Sequence, residues 1–341
     1  MKIAIEYHPG TFAERFAKYC GTHGIDYKLV DCQSSDIVKQ LEDCDALMWH
    51  WPHANHTHEL FARQLTYALE HAGKTVFPNS STCWHFDDKI GQKYMLEAHG
   101  LPLVPSWVFY NRERALEWIG RAEFPLVFKL KGGAGSQNVQ LIRSRAQAKR
   151  LVEKMFSGGV LAVDLFRTAR DRFDAWRHHR GGLRIVLSTF KAWLSSLFRH
   201  RDREYGYVYF QKFVPDNQFD IRCIVIGDKA FEIKRICREG DFRASGSGKI
   251  VYSRRELNEE CVKISFAAAE KLGTQSLALD FVFDNGKPFI VEVSYGFAMH
   301  GYDKCEGYWD RNMTWHHGAF IPQDWMVEEV VAGIASADKK N

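Results

Sequence analysis

The chain of 341 residues contains eight cysteines, at 20, 32, 44, 83, 223, 237, 261 and 305, but no Cys-x-x-Cys pair. The spacing therefore signals neither a zinc knuckle nor a dithiol redox motif. No stretch approaches the roughly 18 uninterrupted apolar residues of a membrane-spanning helix. The start, MKIAIEY, reaches charge too soon for the apolar region of a secretory signal. Scattered cysteines without such a signal point to reduced thiols in a cytoplasmic protein. Internal repeats and low-complexity tracts are absent as well, which excludes a solenoid or a disordered linker protein.

What is present is ordinary in amount and uneven in placement. Hydrophobic residues make up 45% and charged residues 26%, as in a soluble globular protein. The length suits two or three modest domains. Residues 165–205 hold nine Arg and one Lys against four acids, an excess of six, while the whole chain carries only +4. The rest of the chain is therefore slightly acidic, so the positive surface is local and no nucleic-acid partner is expected. In that segment Leu183, Ile185, Val186, Phe190, Trp193, Leu194, Leu197 and Phe198 recur at helical spacing among cations. Such a face suits packing within the chain, a homodimer contact, or an anionic membrane or lipid-linked glycan.

Residues 1–87 read as alternating strands and helices, hence a mostly parallel sheet. From Pro105 the texture changes to short strands with helices between and after. Two late strands, 276–283 and 288–293, flank Asp284-Asn285-Gly286, a strong hairpin signal.

That hairpin carries the first chemical clue. Asp280 in LALDFVF and Glu292 in FIVEVS are lone acids in apolar strands. A carboxylate among apolar neighbours is costly unless it is paired or bound to a metal. Two acids brought onto one face by strand alternation suit Mg²⁺, which takes oxygen ligands and shares them with phosphates. The alternatives are ion pairs with buried arginines, or a water-facing surface. Lys129 and Lys131 precede a glycine-rich turn, Gly132-Gly133-Ala134-Gly135-Ser136. Backbone N–H groups of such a turn suit phosphate oxygens, although many such turns are only flexible. Asp220, Arg222, Lys234, Arg235 and Arg243 add a dense charge set of the kind that holds a polyphosphate. For any one of them, plain surface charge is the simpler account.

QKFVPDNQFDIRCIVIGDK, REGDFRAS and LALDFVFDNGKPFIVEVS resemble the matching stretches of ATP-grasp ligases, closest to the RimK-type glutamate ligase and glutathione synthetase group. DDKIGQKYMLEAHGLPLVPSW resembles the helix preceding their lid. The resemblance covers about residues 80–150 and 207–296, in the right order. It implies an α/β and α+β architecture: an ATP-grasp fold behind an N-terminal Rossmann-like domain. The expected domains are 1–87, a lid over 88–210 with a basic insertion at 160–205, and a metal-binding part over 211–335.

The resemblance also implies roles. Lys89, Lys129 and Lys131, with Gly133, Gly135 and Ser136, would meet the ATP phosphates. Gln211, Lys212, Phe213 and Val214 would form the adenine linker, and Asp220 would contact the nucleotide. Arg222 and Arg243 would act on the transferred phosphoryl group and the acyl intermediate, and Lys234, from the same charge set, is a further catalytic candidate. Asp280 and Glu292 would bind Mg²⁺, two ions by the family's pattern, with Mn²⁺ as a substitute. Two departures stand out: Ser294 replaces the usual Asn ligand, and Lys212 stands where an acid is frequent. The implied activity joins a carboxylate to an amine at the expense of ATP. Phosphotransfer from the same cleft, or nucleotide binding without catalysis, is the competing outcome. The segment after Ser294 leaves the substrates open, as does the His-rich run from His50 to His58, read as a substrate loop, a zinc site or a solvated turn.

Overall fold

The structure is a computed structural model and describes residues 1–51, 56–133, 139–161, 203–238, 241–243 and 248–339. The amphipathic insertion expected over 160–205 lies largely outside them, as do Gly135 and Ser136. Among the described residues no helix is long and apolar enough to cross a membrane. The chain divides into two compact units, one of Met1–Val104 with Val214–Asn341, the other of Pro105–Phe213.

The larger unit begins with strands β1 (Lys2–Glu6), β2 (Asp26–Val30), β3 (Ala46–Met48) and β4 (Thr75–Phe77), all parallel in the order β2-β1-β3-β4. Helices α1 (Ala13–Thr22), α2 (Ile37–Gln40) and α3 (His56–His71) connect them, and α4 (Ser80–Cys83) and α5 (Lys89–Ala98) follow. Asp88 caps α5 by accepting from the N–H groups of Ile90 and Gly91.

The smaller unit comprises β5 (Ser106–Phe109), α6 (Arg112–Arg121), β6 (Leu126–Lys129), β7 (Gln140–Ile142), α7 (Arg145–Met155), β8 (Val160–Leu161), β9 (Arg203–Glu204) and β10 (Val208–Lys212). Its sheet runs β5-β10-β6-β7, antiparallel throughout.

The chain then returns to the larger unit through β11 (Phe219–Ile226), β12 (Lys229–Ile236), β13 (Ile250–Val251), α8 (Glu259–Leu272), β14 (Ser276–Asp284), β15 (Lys287–Ser294), β16 (Gly307–Asp310), β17 (Trp315–His317) and α9 (Pro322–Asp338). These strands form one antiparallel sheet, β15-β14-β11-β12-β16-β17, with β13 beside β12. Asn285 and Gly286 both take positive φ, 50° and 78°, and close the β14–β15 hairpin. That is the mirror-image turn whose twist matches the strands, and Asn-Gly is its preferred pair.

The two faces of this sheet bury different cores. One packs Ile221, Cys223, Val225, Leu277 and Leu279 under α8. The other packs Ile224, Phe231 and Ile233 with Ile3, Phe12 and Phe16 of the first sheet and Met326, Val327 and Val330 of α9. The N-terminal α/β part and the late sheet thus share one core, where the sequence suggested a domain boundary at residue 87. Helix α5, expected to open the lid, also belongs to the larger unit. Gln92 of α5 donates to Val293 O at 2.8 Å and accepts from Val293 N at 3.1 Å. It thereby satisfies both backbone groups of Val293 on the outer side of edge strand β15.

On the α8 face, Glu232 is almost fully buried and accepts from the N–H of Asn258 at 2.9 Å. Asn258 in turn caps α8. Burial pushes the Glu232 carboxyl up to about 8, only partly offset by that N–H. A raised folded pKa means the native state keeps a proton that the unfolded chain loses above its own value near 4.5. Stability therefore falls as pH rises from about 5 to 8, by on the order of a few kcal/mol from this group. The substitution Glu232→Gln keeps the acceptor and removes the titration. Urea melts at pH 5, 6.5 and 8 should show the variant gaining on the wild type as pH rises. Parallel curves would contradict this.

Candidate active site

Asp280 of β14 and Glu292 of β15 are direct cross-strand partners. Strand alternation alone would not bring them together. The turn sets Asp284 against Lys287 and Phe281 against Ile290. Continued regularly, that register sets Asp280 against Val291 and leaves Glu292 on the opposite face. A one-residue shift between Asp280 and Phe281, with Val291 as the extra residue, restores the pairing. The bulge is therefore what gives the two acids a common face, and the sequence argument from simple alternation is corrected on that point.

The register of β11 and β12 completes the cluster. Arg222 stands opposite Asp280, and Asp220 stands opposite Arg235. Arg222 donates to both Asp280 oxygens, Nε to Oδ1 at 2.5 Å and Nη2 to Oδ2 at 2.7 Å. Arg235 donates to both oxygens of Asp220 at 2.6 Å, and its Nη2 lies 2.8 Å from Asp280 Oδ2. Burial pushes Asp280 up, but the two guanidiniums outweigh it and hold the carboxyl below the usual range. Asp220 goes the other way: burial raises it, and Arg235 offsets only part of the rise. Lys89, at the first position of α5, places Nζ 3.3 Å from Glu292 Oε1. The Gln92–Val293 bonds one turn away hold α5 in that register. Glu292 keeps a third of its side chain exposed, whereas Asp280 is nearly covered.

Ser294 lies two residues beyond Glu292 on the same strand. Its hydroxyl donates to Gly296 O and accepts from Gly296 N at 3.2 Å, which leaves an oxygen lone pair for a cation. Tyr295 then ties this strand end to the His-rich run: its hydroxyl donates to Trp51 O and accepts from Trp51 N. His50 stacks on Phe12 at 3.7 Å between ring centroids. A Cβ added to Gly296 would lie 3.2 Å from His50 Nε2, so glycine leaves room for the imidazole.

Other expected residues are placed apart from this cluster or in the smaller unit. Lys234 is the clear correction. It stands opposite Ile221, on the α8 face, pairs with Glu256 at 2.7 Å and lies over the Phe219 ring. Its neighbour Arg235 takes the site-facing position instead. Arg243 bonds Asp241 within its own loop. Lys129 is buried at the end of β6 opposite Tyr209. Lys131 lies beyond the strand with an exposed side chain, and its N–H donates to the Tyr207 hydroxyl. The two lysines thus do not share the strand face that the sequence suggested. Gly133 takes φ 107°. Gln211 is buried and donates to Ser106 Oγ at 3.0 Å, and the division between units falls between Phe213 and Val214. Trp309 and Trp315 pack edge to face at 4.5 Å under Arg254.

Solved structures of ATP-grasp proteins share this fold. The RimK domain ATP-grasp protein of Sphaerobacter thermophilus DSM 20745 shares it with a TM-score of 0.55 at 15% identity, over 97% of this chain and all of the other. D-alanine–D-alanine ligase of Bacillus anthracis, solved with ATP, gives 0.57 at 12% identity, over 100% of this chain and 99% of the other. At such identities the likeness is one of fold.

Residues 180–309 match the RimK-like ATP-grasp domain. A probable alpha-L-glutamate ligase of Legionella pneumophila (strain Corby) is 30% identical over 99 residues, 28% of this chain. The match spans 32% of that ligase, about a third of its length.

Proposed function

We propose that this chain is an ATP-dependent carboxylate–amine ligase that converts ATP to ADP and phosphate and forms an amide through an acyl phosphate. The observation that carries this reading is the Asp280–Glu292 pair on one sheet face, flanked by Arg222, Arg235 and Lys89.

A carboxylate does not acylate an amine unaided, because its oxygen is a poor leaving group; phosphorylation supplies a good one. Magnesium would be held by Glu292 and Ser294, with Asp280 as the third donor by resemblance although Arg222 and Arg235 engage both of its oxygens in this structure, and would supply Lewis-acid neutralisation of the phosphate charge. Fit is favoured by a Glu292 carboxylate that keeps a third of its side chain exposed and by the spare lone pair on Ser294. Two ions, with Mn²⁺ as substitute, follow from the family pattern. Arg222 and Arg235 keep Asp280 ionised and fixed in position, so the site is organised before substrate arrives. Lys89 and Lys129 are assigned to phosphate oxygens, Lys131 and the glycine-rich turn to the same group, and the backbone of 211–214 to adenine. Arg243 is assigned to the acyl oxygen, where its charge would stabilise the tetrahedral intermediate. His50, beside Gly296, belongs to the substrate side of this reading.

The test is ADP release with Mg-ATP against panels of amino acids and sugar acids, followed by product mass. A ligase yields free phosphate and a product lighter by water than its two substrates combined. A stable phosphorylated product would replace ligation by phosphotransfer, and absence of turnover across the panels would remove the catalytic reading.

A further inference from the structure

A second cluster lies in the N-terminal α/β part and takes no part in the proposed ligase chemistry. Glu6 ends β1 and His8 follows two residues later, so both side chains leave the strand on one side. β3 is the parallel neighbour of β1, and the connection from β3 leads into α3, which carries His58 in its first turn. The fold thus brings three side chains together beyond the C-terminal edge of a parallel sheet, where such sheets bind ligands.

One carboxylate oxygen of Glu6 and one ring nitrogen each from His8 and His58 all lie within 4.8 Å of one another. Glu6 and His58 are buried, with relative exposures of 2% and 1%, and His8 is half-buried. Glu6 Oε1 and His8 Nε2 are 3.2 Å apart, both shielded from solvent, and neither makes a hydrogen bond among the described residues. With His8 protonated this contact is an ion pair; with a neutral imidazole that presents its Nε2 lone pair, the separation matches ligands around a shared ion, since bonds of about 2.0–2.1 Å in a tetrahedron put neighbouring ligands about 3.3 Å apart. The other Glu6 oxygen accepts from Cys32 N–H at 2.5 Å, which fixes the carboxylate, and Trp49 meets the His58 ring edge-on at 5.4 Å. Such supporting contacts orient metal ligands.

We propose that Glu6, His8 and His58 form a zinc site, two imidazoles and one carboxylate, with a fourth position open to water or a ligand. Two nitrogens and one oxygen suit Zn²⁺ and do not suit Mg²⁺, so this site and the Asp280–Glu292 pair select different ions.

The test uses the full chain without an affinity tag, stripped with chelator and dialysed. Zinc alone is titrated calorimetrically, and Co²⁺ is added separately as a visible-absorbing probe. The expected result is one equivalent of zinc bound, and Co²⁺ bands of a four-coordinate nitrogen–oxygen site. Uptake should weaken at least about 100-fold in Glu6→Gln, His8→Asn and His58→Ala and persist in Glu292→Gln. His8→Asn is the decisive variant, because that side chain is partly exposed and its loss leaves the core intact. No stoichiometric uptake, or uptake undiminished in His8→Asn, overturns the proposal. Uptake lost in Glu292→Gln but kept in His8→Asn overturns it too, and assigns the ion to the other acids.

Discussion

Glu292→Gln should lower ADP release by about 10²–10³-fold or more, the size of effect seen when a preorganised electrostatic group is removed from a transition state. The fold should survive. Glu292 is a third exposed, and the glutamine oxygen still accepts from Lys89, now 3.3 Å from Oε1. An exposed or partly exposed ion pair contributes about 0–1 kcal/mol, so the melting temperature should move by a few degrees at most. Turnover measured at saturating Mg-ATP, together with circular dichroism, separates lost chemistry from lost structure. Unchanged turnover in a folded variant would remove Glu292 from the active site.

Asp280→Ala should behave differently, because Asp280 is structural before it is anything else. Its oxygens receive three charged N–H groups from Arg222 and Arg235; Asp280 and Arg235 are buried, and Arg222 is partly exposed. Arg235 keeps Asp220 as a partner, but Arg222 loses both of the bonds it makes to Asp280. Removing one member of a buried ion cluster costs about 3–5 kcal/mol, since the remaining charge stays desolvated. Urea unfolding at pH 7 should show that loss, and adding Arg222→Leu should recover part of it. An unchanged midpoint would mean that Arg222 and Arg235 find other partners. Activity lost at position 280 therefore has two causes, and position 292 is the more diagnostic of the pair.

The sequence made the acids visible because each stands alone in an apolar strand. It did not reveal the Val291 bulge, which depends on pairing between strands and leaves no local signal in FIVEVS. Lys234 was favoured over Arg235 because both lie in one dense run of charge. Alternation along FEIKRI, counted from the buried Phe231 and Ile233, would have put Arg235 on the site face and Lys234 on the other. The core that crosses residue 87 was hidden for a related reason. The β-α pattern shows where a parallel sheet is, but not that α9 and the late sheet would complete its core. Helix α9 itself and the β16–β17 hairpin escaped notice: PQDWMVEEVVAGIASAD is apolar on most sides and lacks the two-faced pattern that marks a surface helix. The His-rich run read as one feature, whereas the fold separates its members: His50 adjoins Gly296, and His58 faces Glu6 and His8.

The position of α9 has a consequence for biosynthesis. Met326, Val327 and Val330 close the core over β1, α1 and β4, which precede them by roughly 250 to 320 residues. This parallel sheet leaves the ribosome well before the helix that seals its apolar face. The unit over 105–213 contains its whole sheet within a continuous stretch and meets no such delay. On the ribosome the middle of this chain should mature first, and the nascent N-terminal segment is the part most in need of a chaperone's shelter.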